Sequence, residues 1–171
     1  MSVERQRRLD DNFKMRKRSN AAALVSIVLV CAISATAKDI AVISHKGSAM
    51  EEIAQSELVK LCKGQTSRWP DGKPVSVVLR DPAAPQMRLV LERIYGVSKE
   101  EVPELITTAN HNRVNHPAII VVDSDEAVVK KVETTPGAIG LVDVYAITGG
   151  VTVVRIGGKL PLEPGYLLHG N

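Results

Sequence analysis

The chain has 171 residues, 44% hydrophobic but only 3% aromatic, with a formal net charge of +3. The positive sign belongs to the start of the chain: of 22 bases and 19 acids, seven and three precede residue 38, so the remainder carries 15 and 16 and a net charge of −1. No basic cluster interleaved with aromatics follows Lys38, which excludes nucleic acid as an expected partner.

Arg5, Arg7, Arg8, Lys14, Arg16, Lys17 and Arg18 make the first 20 residues basic. An uncharged apolar run follows from Ala21 to Ile33, then Ala35-Thr36-Ala37. A basic segment, a short apolar segment and a small-x-small site are the parts of a cleavable secretory signal, so residues 1–37 are expected to direct export and to be removed after Ala37. The competing reading is a retained anchor, for which the 17 uncharged residues fall short of the roughly 20 that a membrane span needs. Residues 38–171 then form one domain, large enough to bury a core without disulfides. Of the two cysteines only Cys62 remains; on the apolar side of an expected helix, it reads as a small buried hydrophobe.

In chain order, Asp39 to Ser44 starts as a buried strand. Ile53, Leu58, Leu61 and Cys62 recur at roughly helical spacing up to Gly64, an expected C-terminal stop. Trp69-Pro70-Asp71-Gly72 is turn chemistry, and Val75 to Leu79 is a second strand. Met87, Val90, Leu91 and Ile94 form one helical stripe that ends at Gly96. Ser98 to Glu101 has the capping-box pattern for a third helix with Val102, Leu105, Ile106 and Ala109 on one side, although Pro103 obscures its start. Ala118 to Val122 is apolar throughout, as expected of a strand covered by helices on both faces. Ser124 to Glu133 is helical; Thr135-Pro136-Gly137 breaks it, and Ala138 to Val142 is a further buried strand. Thr148-Gly149-Gly150 turns into the strand Val151 to Ile156, and the tail after Gly157 is expected to lie on the surface. Alternating strands and helices predict an α/β domain with a mixed or largely parallel sheet flanked by helices.

Chemical motifs are few. There is no nucleophile elbow, Walker loop, dinucleotide fingerprint or Cys-x-x-Cys pair, so an enzyme would need a site assembled from distant residues. His111 and His116 are five apart, which misses the i,i+3 or i,i+4 spacing that puts two imidazoles on one helix face, so no metal is expected there. Asp123, Asp125 and Glu126 open a helix, where capping and the macrodipole explain acids. Arg80 stands out. It follows the C-terminal end of a strand, where open α/β sheets bind ligands, and a guanidinium there suits a tetrahedral oxyanion. The simpler reading of Arg80 is an ion pair with Asp81 or another acid.

Taken together, Asp39-Ile40-Ala41-Val42-Ile43, the helix ending Leu61-Cys62-Lys63-Gly64, Trp69-Pro70-Asp71-Gly72, Arg80, and Pro136-Gly137-Ala138-Ile139-Gly140-Leu141-Val142 occur in a familiar order. The chain resembles the phosphate-binding substrate-binding proteins of ABC transporters, within the type II periplasmic binding protein superfamily, over nearly all of Asp39 to Val142. The resemblance implies a non-enzymatic, exported binder of phosphate or a related oxyanion, without a cofactor, with Arg80 as ligand-binding residue and transporter membrane subunits as partners. Two departures stand against it. The chain is long enough for one lobe where those proteins close two on the ligand, and the Gly-Ser-Gly-Thr loop that follows the arginine in the family is replaced by Ala83-Ala84-Pro85-Gln86, which has neither hydroxyl. They open an alternative: a periplasmic interaction module that keeps the fold and engages another envelope protein.

Overall fold

The computed structural model describes residues 38–170; the expected signal peptide, with Cys31, lies outside them. Strand β1 (Ile40–His45) is followed by a two-residue strand β2 (Glu52–Ile53) and helix α1 (Gln55–Cys62). Strand β3 (Ser76–Arg80) leads to helix α2 (Met87–Val90), which widens into a π-helical turn (Leu91–Tyr95). Helix α3 (Val102–Asn110), strand β4 (Ile119–Val122), helix α4 (Asp125–Thr134), strand β5 (Ala138–Asp143), a 3₁₀ turn (Val144–Ala146) and strand β6 (Val151–Ile156) complete the order.

The six strands form one sheet in the order β2-β6-β1-β5-β3-β4. β3 pairs in parallel with β4 and β5, β2 pairs in parallel with β6, and β1 is antiparallel to both its neighbours, β5 and β6. β1 alone is therefore reversed, and the sheet is mixed. Side chains alternate between faces along a strand. On one face Ile40, Val42, Val77, Leu79, Ile139 and Leu141 pack with α1, α2 and its π turn, and α3. On the other, Ala41, Ile43, Val78, Ala138 and Val142 pack with Val128, Val129 and Val132 of α4. A sheet covered on both faces explains the unbroken apolar runs of β1, β3 and β5.

Local chemistry accounts for most of the boundaries. The Ser124 hydroxyl accepts the Ala127 N–H at 3.1 Å and starts α4. Gly64 is left-handed at φ 69°, and the Gln65 N–H reaches back to the Lys60 carbonyl, closing α1. Trp69 donates its N–H to Lys73 O while Gly72 (φ 85°) donates to Trp69 O, a tight reversal. In α3 the helix begins at Val102, which puts Pro103 in the first turn, where an N–H has no helical partner anyway. Glu101 accepts both the N–H and the hydroxyl of Ser98 at 2.9 Å, half of a capping box placed just ahead of the helix.

Two expectations are corrected. Ala118 to Val122 reads as a centrally covered strand, yet β4 lies at the sheet edge and Val121 is 42% exposed. The Asn110 side chain stands in for the missing neighbour: its amide donates to Ile119 O and accepts from Ile119 N–H, both at 2.9 Å. The tail after Gly157 lies on the surface as far as Gly165, but its end does not. Tyr166 and Leu168 are buried, the Ile40 N–H donates to Leu168 O at 3.0 Å, and the Tyr166 hydroxyl donates to Ile40 O at 3.0 Å. The wholly buried Asp39 carboxylate accepts the Leu162 N–H at 2.6 Å and meets His169 Nδ1 at 2.7 Å. Pro and Gly shape this segment; Tyr166 and Leu168 seal the core, while Leu162 is exposed.

Two substitutions test this packing. Leu168→Ala should lower unfolding stability by about 2–5 kcal/mol, the range for emptying a fully buried leucine site. At Gly140 an added Cβ would lie 2.7 Å from Val128 Cγ1 and 2.9 Å from Val132 Cγ2. Gly140→Ala should therefore push α4 off the sheet and cost about 1–3 kcal/mol, read as a lowered denaturation midpoint.

Candidate functional site at the strand carboxyl ends

β3, β4 and β5 end together, and the reversal of β1 brings its start to the same place, with Ile40 opposite Asp143. Arg80 closes β3, Ser124 and Asp125 open α4, Asp143 closes β5, and Lys38 precedes β1. The Arg80 Nη1 lies 2.7 Å from Asp125 Oδ2, with side chains 26% and 13% exposed. The second oxygen of Asp125 faces the Asp143 N–H at 3.4 Å. Asp143 accepts the Tyr145 N–H at 2.9 Å and pairs with Lys38 at 3.0 Å. A hydrogen bond to the Asp143 carboxylate and its charge hold the Lys38 ammonium above its ordinary pKa. Glu126, on the first turn of α4, is held below the usual carboxylate range by backbone N–H donation, by the Ser124 hydroxyl and, less, by Arg80.

Arg80 thus sits where the sequence predicts, and the acid that pairs with it is Asp125, not its neighbour Asp81. Asp81 turns instead into its own loop: its carboxylate accepts the Ala83 N–H at 2.8 Å, and its carbonyl accepts the Ala84 N–H at 2.9 Å. The Ala83 and Ala84 amides of the loop after Arg80 are thus committed within the chain. The Arg80 Nε is buried without a hydrogen-bond partner among the described residues. An unpaired, buried guanidinium N–H is costly.

The other sequence candidates fall elsewhere. Cys62 is fully buried, and burial pushes its thiol up to about 12, so it stays protonated and inert. His111 and His116 are exposed, and among the described residues no group of three or more His, Cys, Asp or Glu is arranged to hold a metal ion. Trp69 and Gly137 meet at the opposite end of the sheet, where the indole N–H donates to Gly137 O at 2.8 Å. The Pro-Gly-Ala-Ile-Gly segment is therefore a packing motif. Gly137 (φ 84°) has no room for a Cβ against the Pro74 carbonyl, and Gly140 admits α4. Asp125 and Lys38 were the residues hidden from sequence: Asp125 reads as helix capping, and 45 residues separate it from Arg80.

No family model matches the chain, and no characterised protein matches it by sequence. Solved structures do match. An ABC-type phosphate transport receptor from Vibrio cholerae superposes with TM-score 0.59 at 15% identity, over 73% of this chain and 48% of the receptor. A putative phosphate ABC transporter substrate-binding protein with bound phosphate, from Clostridium perfringens, gives 0.58 at 20% identity over 71% and 46%. PstS from Borrelia burgdorferi gives 0.59 at 16% over 79% and 55%. The chain shares their fold. It spans about half the length of these proteins, and identity this low carries the architecture without the chemistry of the site.

Asp125→Asn should isolate the Arg80 charge. The expected result is a loss of about 1.5–3 kcal/mol in unfolding stability, the scale for one charged hydrogen bond, restored in part by added sulfate. Equal stability with and without the change would show that the pair contributes nothing.

Proposed function

We propose that the chain is an exported, non-enzymatic solute-binding protein of the phosphate-transport type, which takes phosphate or a related oxyanion at Arg80 and passes it to the membrane subunits of an ABC transporter. The observation that carries this reading is the placement, at the carboxyl end of the sheet, of a partly exposed arginine side chain that pairs with the protein through its Nη1 alone among the described residues. It stands beside the N-terminus of α4, in a fold shared with phosphate-binding proteins. Export rests on the basic and apolar segments of residues 1–37, and no helix among the described residues is long and apolar enough to cross a membrane.

The acids around Arg80 dictate which anion fits. Asp125 accepts hydrogen bonds and, ionised, has none to give. An oxyanion sharing the guanidinium with it must bring its own proton. Phosphate carries one at neutral pH and sulfate does not, so the pair favours phosphate while making binding weaker than at an arginine free of carboxylates.

A second reading has a specific observation behind it. Asp125 already pairs with the guanidinium and Asp81 with two loop amides, as they would in an interaction module that keeps the fold and binds another envelope protein.

Thermal unfolding separates the two. At phosphate 100 times its dissociation constant, stability should rise by about 2.7 kcal/mol, a shift of several degrees, with a smaller effect of sulfate at matched ionic strength. Arg80→Gln should abolish the phosphate effect. No shift with either anion would favour the interaction module.

A further inference from the structure

The loop after β1, the start of α1 and the Trp69–Lys73 reversal enclose a cavity of about 520 Å³ at the amino ends of β3 and β5. Gly137 on its wall and Asp143 at the Arg80 end are six residues apart, about 20 Å along a strand at 3.3 Å per residue. The two places are separate sites.

The cavity has the build of a small-molecule site: a concave apolar wall with a few polar groups at its rim. Met50, Trp69, Pro70 and Pro136 supply the apolar surface. The indole is held in place, half-buried, by its bond to Gly137 O, and Gly137 is itself fixed by the tight approach of Pro74 O. The charges at the rim are unequal. Lys73 lies 2.6 Å from Asp71 and neutralises it. Glu52, from β2, and Glu57, from the first turn of α1, are exposed and have no ion-pair partner among the described residues. The remaining titratable group on the wall is His45. With His45 neutral the lining carries a net charge of −2, from three acids and one base.

From this combination we infer that the cavity binds a small organic cation with an apolar body, an amine or a quaternary ammonium. Its hydrocarbon part lies on Met50, Pro70 and Pro136, and its charge lies between the Trp69 ring and the carboxylates of Glu52 and Glu57. An indole face attracts such a cation most strongly when water is partly excluded. The two carboxylates repel an anion of the same shape, and a neutral one gains the apolar contact alone.

Trp69 is the sole tryptophan of the chain, so its emission reports this cavity directly. The full-length chain is titrated at fixed ionic strength with benzyltrimethylammonium, and in parallel with benzyl alcohol and benzoate, with calorimetry alongside to register any binding that leaves the emission unchanged. The cation should give a saturable signal, the alcohol a much weaker one and benzoate none. Phosphate, directed to Arg80, should leave the emission unchanged. The double variant Glu52→Gln, Glu57→Gln should weaken cation binding at least about tenfold with only a small drop in its unfolding midpoint, from losing the Glu57 charge in the first turn of α1. Absence of both emission change and heat with the cation into the millimolar range overturns the inference. So does equal affinity for the alcohol or benzoate, or full affinity in the double variant.

Discussion

Strand β1 lies between β5 and β6 and runs against both, and much else in the molecule follows from that reversal. Its side chains reach both layers, Ile40 and Val42 into one and Ala41 and Ile43 into the other, so it joins the two halves of the core. Its direction also brings opposite parts of the chain to each end of the sheet. The start of β1 delivers Lys38 to the ends of β3 and β5, beside Arg80, Asp125 and Asp143. Its end delivers His45 and the following loop to the other edge, against Trp69 and Gly137. The C-terminal tail then locks β1 through Leu168 O, the Tyr166 hydroxyl and the Asp39 carboxylate. Burying those polar groups is tolerated because each has its partner.

What was legible in the sequence was mostly local. The Ser124 cap, the Gly64 and Gly96 stops and the Trp69–Gly72 reversal depend on neighbours within a few residues, and they fall where the residue types indicate. The stripe Met87, Val90, Leu91 and Ile94 is buried as its spacing requires, although the last turn widens to a π turn in which Gly96 N–H bonds Leu91 O. Long-range facts were not legible. An apolar strand looks the same in the centre and at an edge, and only the Asn110 amide, nine residues away, reveals how the edge of β4 is satisfied. The tail resembles a loop by composition, and its end joins the core through four contacts with residues over a hundred positions away. Arg80 was identifiable by its place after a strand; Asp125 was not identifiable as its partner, because its position at a helix start already had a sufficient explanation.

The same residues govern what the fold can do. The chain spans about half the length of the phosphate-binding proteins whose fold it shares, and Arg80 has Ala83-Ala84-Pro85-Gln86 near it, Asp125 on its guanidinium and Asp81 on the loop amides. A guanidinium already bonded to a carboxylate is a weaker anion trap than a free one, and a more selective one, since it favours a ligand that can hydrogen-bond the carboxylate as well. The Pro-Gly-Ala-Ile-Gly segment, the most recognisable part of the chain, serves packing: it makes room for α4 and for Trp69. Its presence speaks for the architecture, and the proposed anion binding rests on Arg80.

The most direct measurement of that claim is an NMR titration of the ¹⁵N-labelled protein with phosphate, following the Arg80 Nε–H resonance and the amides of Ser124, Asp125 and Glu126. The account predicts saturable shifts at Arg80 and at the start of α4, larger with phosphate than with sulfate. An Arg80 resonance that stays fixed through the titration, or shifts confined to another part of the sheet, would contradict it.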